Sequence, residues 1–113
     1  MKRYEIILQL EAENELREAF AYIHAESPQN AASWLSGLYK AIDSLEIMPE
    51  RCALAQENED VGAEVRQFVY HSHRILFTVE GMKVCVHHIR HAAMQTHASA
   101  RSIAKREAGK KKP

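Results

Sequence analysis

"EVRQFVYHSHRILFTVEGMKVCVHHIRH", residues 64–91, decides the fold. Its apolar period is two. EVRQFVY (64–70), HRILFTVE (73–80) and KVCVHHI (83–89) each read as a strand, and the breaks at His71-Ser72 and Gly81-Met82 are short enough for consecutive hairpins. In the middle segment Ile75, Phe77 and Val79 share one face, while Arg74, Leu76, Thr78 and Glu80 share the other. A meander of this kind needs a partner layer for its apolar side and leaves its second side at least partly free.

The partner layer lies upstream. Ala12, Leu16, Ala19, Phe20 and Ile23 recur at helical spacing, with Glu11, Glu13, Glu15, Arg17 and Glu18 on the opposite face. "HAESPQNAA" interrupts this helix. Pro28 suits the first turn of a second helix and Ser27 its N-cap. That helix is expected from Pro28 to Ile47, with Ala31, Leu35, Leu38, Ile42 and Leu45 on one side, and Pro49 ends it. The two helices form an αα-hairpin. Before them, residues 3–9 (RYEIILQ) suit a short opening strand; after them, residues 49–63 read as an acidic surface loop. The fold class is therefore α+β: a short N-terminal strand, a helical hairpin, and a three-stranded antiparallel meander. A short C-terminal helix fits residues 98–108. We expect one domain over residues 1–97 and a basic tail over 98–113.

Composition narrows the function. With 46% apolar residues in 113, the chain supports one packed core. No apolar run reaches the roughly 18 residues of a membrane-spanning helix. The N-terminal "MKRYEIILQLEAENE" turns acidic too early for a signal peptide, so a cytoplasmic location is expected. Cys52 and Cys85 lie outside any CxxC spacing and suggest neither a disulfide framework nor a zinc ribbon. The net charge of zero conceals an asymmetry. Residues 11–64 hold twelve acids against three bases, whereas residues 65–100 and 101–113 sum to +3 and +5. Either the second half meets an anionic partner or the two halves attract one another.

The stretch VCVHHIRH (84–91) concentrates chemistry, with three of the seven histidines, Cys85 and Arg90. As a metal site it fails along the strand. Cys85, His87 and His91 share one parity but spread over about 20 Å at roughly 3.3 Å per residue. No metal or cofactor is expected. As an anion-binding surface it does better: His88 and Arg90 share a face, Arg66 and Arg74 on neighbouring strands are candidates for the same surface, and a histidine beside them is a candidate general acid or base. The alternative is that these are ordinary solvated strand residues, with His87 half-buried. The chain has no glycine-rich phosphate loop, GxSxG or HExxH motif.

Residues 12–51, with the Ser-Pro junction and the closing "LEIMPER", and residues 64–91 together resemble the RelE/ParE superfamily of bacterial toxins. The resemblance covers about residues 3–94. It implies the toxin of a type II toxin–antitoxin system, neutralised by a cognate antitoxin. RelE-like members cleave mRNA on the ribosome with basic residues on the sheet and a C-terminal tyrosine or histidine; ParE-like members poison DNA gyrase. Arg66, Arg74 and His91 match family positions and are the catalytic candidates if the chain is RelE-like. Arg66, Arg74, His88 and Arg90 are the candidates for binding a target or phosphate. The acids from Glu57 to Glu64 stand where the ribonucleases have lysines, and no tyrosine follows Tyr70. A polyanion-cleaving site is poorly served by those acids. The ParE-like reading is therefore favoured over a ribosome-dependent endonuclease, or a non-toxic antitoxin-binding relative.

Overall fold

The computed structural model describes residues 2–58, 64–93 and 96–110. The elements are β1 (Glu5–Leu8), α1 (Leu10–Glu26), α2 (Pro28–Asp43), β2 (Val65–Tyr70), β3 (His73–Glu80), β4 (Lys83–His91) and α3 (Thr96–Lys110), with 3-10 turns at Ser44–Glu46 and Pro49–Arg51. No helix among the described residues is long and apolar enough to cross a membrane.

Ser27 makes the corner between α1 and α2 through both its backbone and its side chain. Its N–H donates to the Ile23 carbonyl, closing α1, and its Oγ accepts from the Asn30 N–H at 3.2 Å, opening α2. Pro28, at the start of α2, gives up a donor that has no helical acceptor there. Helix α2 stops at Asp43, short of the expected Ile47, and the chain tightens into the first 3-10 turn. Met48 then adopts a left-handed backbone, φ 49°, ahead of Pro49. Arg51 ties this corner by donating to the Ile47 and Met48 carbonyls at 2.6 and 3.0 Å.

The sheet order is β1-β4-β3-β2. The three strands of the meander are antiparallel, as their period implies, and β1 lies parallel to β4. Each hairpin turns through a residue with positive φ, His71 at 52° and Gly81 at 61°. One face of the sheet meets the helical hairpin. Ala12, Leu16, Leu38, Ile42 and Leu45 pack there against Ile75, Phe77, Val84, Val86 and Ile89.

The opposite face departs from expectation, because it is covered and not free. Ile103 of α3 is fully buried against Ala55, Val65 and Leu76, and Ala100 is buried as well. The C-terminal helix is thus longer than residues 98–108 and packs on the sheet. The loop after α2 also differs from a solvated acidic stretch. Glu57 has 0% exposure, while residues 59–63 lie outside the described set.

Strand β4 carries a bulge. Phe77 pairs with Val86 but Leu76 pairs with His88, so His87 is the extra residue. Without it, Ile89 would point away from the hairpin; with it, Ile89 joins the main core. The parity expected for this strand therefore breaks at His87. Cys85 and His87 face the α3 side, whereas His91, in register with Ile89, faces the hairpin side.

Candidate functional site

The five residues singled out in the sequence occupy four separate places. Arg66 pairs with Phe77, on the hairpin face, and Arg74 lies three residues from Phe77 along β3, on the α3 face. The two arginines therefore lie on opposite faces of the sheet and form no common anion surface. Arg66 donates to the Cys52 carbonyl at 2.7 Å and to Glu64 at 3.0 Å. Arg74 makes a two-pronged contact with Glu57, at 3.0 and 2.9 Å, and reaches Gln67 at 3.3 Å.

His88 and Arg90 do come together, on a carboxylate. Glu15 of α1 receives His88 Nδ1 at 2.9 Å, the Ile89 N–H at 3.0 Å and Arg90 at 2.8 Å. The geometry has a structural cause. Strand β1 pairs with β4 only as far as Val86, so the edge of β4 beyond it needs another partner for its backbone. Glu15 supplies that partner. Burial pushes the Glu15 carboxyl up, but the bonds from His88 and Arg90, the His88 charge and the Ile89 N–H outweigh it, and the net value is below the ordinary carboxylate one.

His91 is exposed at the end of β4, and its Nδ1 accepts from the Ala93 N–H at 3.1 Å. Its ring meets His73 edge-on at 5.3 Å, and His73 in turn meets Trp34 at 5.3 Å. Burial, then the neighbouring His91, hold His73 below the ordinary imidazole value. Beside this cluster, Ile23, Asn30, Ser33, Trp34, Tyr70 and His71 line an open cavity of about 310 Å³. Arg66 and His91 share the hairpin face but sit opposite Phe77 and His73, which are about 13 Å apart at 3.3 Å per strand residue. The structure does not assemble Arg66, Arg74 and His91 around one phosphate.

Ion pairs instead join the two oppositely charged halves of the chain: Glu57 with Arg74, Glu15 with Arg90, and Glu64 with Arg66. Of the two explanations for the charge asymmetry, these contacts realise mutual attraction. Glu15 and Glu57 were not distinguishable in sequence from their solvated neighbours, since both stand among other glutamates and their partners are far along the chain. Among the described side chains of α3, Arg101, Lys105 and Arg106 face solvent.

The chain's sequence and fold have counterparts among known proteins. The family described as the ParE toxin of the type II toxin–antitoxin system parDE matches residues 6–96. The chain belongs to the ParE toxin family. It is thus a type II toxin by family, with the strand, helical hairpin and meander of that fold. Among solved structures, a chain of the chromosomal ParDE toxin–antitoxin system from P. aeruginosa is similar in fold, with a TM-score of 0.67 at 14% identity. The similarity covers 79% of this chain and 96% of that one. No curated protein sequence is close enough to count as a match. The family match ends at residue 96, so almost all of α3 in this ParE-family chain lies beyond it.

Proposed function

We propose that this chain inhibits DNA gyrase in the cytoplasm through a protein–protein contact and is neutralised by a cognate antitoxin. One observation carries the preference for gyrase over mRNA: the sheet arginines are spent inside the molecule. A ribonuclease site has to present cations to the phosphate on which charge develops. Here Arg74 is locked on buried Glu57, Arg66 on Cys52 and Glu64, and Arg90 on Glu15.

The antitoxin reading draws support from the sheet edge. In β2 the outward backbone groups of Val65 and Gln67 bond to Ala55 and Ala53. By the alternation of an antiparallel pair, Val69 directs its backbone the same way, and its side chain is 56% exposed. An extended antitoxin segment has a place to add there.

Gyrase supercoiling and DNA-cleavage assays with the purified chain test the proposal, alongside primer extension on translated mRNA. We expect accumulated cleaved DNA, relieved by the product of the adjacent gene, and no codon-specific mRNA cuts. Codon-specific cuts with gyrase unaffected would overturn it.

A further inference from the structure

The histidine-rich strand fails as a metal site along its own length, yet one of its histidines meets two carboxylates brought by other elements. His87, the bulge residue of β4, faces the side of the sheet that α3 covers. There it converges with Glu80 of β3 and Glu107 of α3, one ligand atom from each lying within 4.8 Å of the other two. His87 Nε2 stands 3.7 Å from Glu107 Oε1, and the two side chains are only 3% and 13% exposed. Thr78 completes the group, donating from Oγ1 to Glu80 Oε2 at 3.0 Å and lying 2.9 Å from His87 Nε2.

From these residues we propose that Glu80, His87 and Glu107 bind a divalent transition-metal ion, Zn²⁺ being the fitting case, and that the ion fastens the C-terminal helix to the sheet. The dimensions agree. With metal–ligand bonds of about 2.0–2.1 Å, ligand atoms around a tetrahedral ion are about 3.3 Å apart, so the His87–Glu107 spacing needs little change and small side-chain rotations close the rest. One imidazole and two carboxylates form a borderline-hard donor set suited to zinc, with a fourth position left for an external ligand. Two carboxylates converging on an imidazole in a largely buried place also favour a cation between them.

Alternation from Cys85 puts His87 on the α3 side, where the carboxylates are, and the bulge leaves it without a ladder partner there. The hydrogen bonds already present point the same way: the Thr78 hydroxyl donates to Glu80 and accepts from His87 Nε2–H, and an ion at Nε2 takes the place of that N–H as the imidazole shifts to its Nδ1–H form. Glu107 lies beyond the residues that match the family, so the site belongs to this chain and does not follow from its family membership.

Titration calorimetry of the full chain with Zn²⁺, paired with amide hydrogen exchange of residues 96–110, tests the site. We expect one ion per chain and slower exchange in α3 when it binds. His87→Gln, Glu80→Gln and Glu107→Gln should each weaken binding about tenfold or more and remove the α3 protection. If His87→Gln does not fold by circular dichroism, the two glutamate variants decide. Absence of Zn²⁺ binding, unchanged affinity in Glu107→Gln, or binding that leaves α3 exchange unmoved would overturn the proposal.

Discussion

The guanidinium of Arg74 and the carboxylate of Glu57, seventeen residues apart in sequence, face each other in two parallel hydrogen bonds beneath the surface. A pair this buried is held by mutual compensation, and removing one member strands the other. Glu57→Ala should cost about 3–5 kcal/mol of stability, read by urea unfolding. Replacing both partners with apolar residues, Glu57→Leu with Arg74→Met, should recover most of that loss. A Glu57→Ala variant as stable as the parent would contradict the burial. The same contact governs how mutants are interpreted, because a loss of activity in Arg74→Ala reports lost stability as well as any role of the guanidinium.

Glu15 gives the chain an acid-sensitive latch. Its folded value lies below the ordinary one, so the unfolded state binds the proton more readily. Its contribution to stability is complete above the ordinary carboxylate value and disappears as pH falls through the folded value. Glu15→Gln should destabilise the chain by about 1–3 kcal/mol at neutral pH and flatten the acid limb of its stability profile. Unfolding midpoints collected from neutral to acid pH for both proteins test this; parallel curves would refute it.

The strands were legible because their residues alternate: His73 to Glu80 came out with the bounds read from the sequence. The helical corner was legible because Ser27 and Pro28 each have one strong local preference. The bulge at His87 was not, since an extra residue in a ladder has no residue type of its own, and it reversed the faces assigned to the rest of β4. The cover over the second face was missed for a related reason. Ala100 and Ile103 are a thin apolar stripe in a segment that also carries four basic residues and Glu107, and only the folded sheet reveals what they bury against. Arg66 and Arg74 looked like a pair because parity was compared within strands, whereas the register between β2 and β3 sets them on opposite sides.

His73 supplies a second pH dependence in a different range. Burial first and His91 second keep its imidazole from charging in the folded state, whereas in the unfolded chain it charges normally. Between the ordinary imidazole value and the lowered folded one, the unfolded state holds more protons, so stability declines as pH drops through that window. His91→Gln removes the neighbouring charge and should make the decline shallower. Denaturant midpoints from slightly alkaline to mildly acidic pH measure the slope, and an unchanged slope in His91→Gln would exclude the coupling.

Gly37 tests whether local propensity or packing rules in α2. In an ordinary helix interior, Gly→Ala gains about 1 kcal/mol. A Cβ at Gly37, however, would stand 2.1 Å from the Tyr70 hydroxyl oxygen and 3.0 Å from its Cζ. Tyr70 has little room to yield, because its hydroxyl donates to the Trp34 carbonyl at 2.9 Å and its ring lies against the Trp34 indole, 6.3 Å between centroids. Gly37→Ala should therefore destabilise the chain by about 1–3 kcal/mol, against the helix rule. In a Tyr70→Ala background the obstruction is gone, and the same substitution should turn neutral or favourable, giving a coupling of about 2 kcal/mol in a double-mutant cycle. Additive effects would mean that α2 and β2 separate more readily than their contact distances imply.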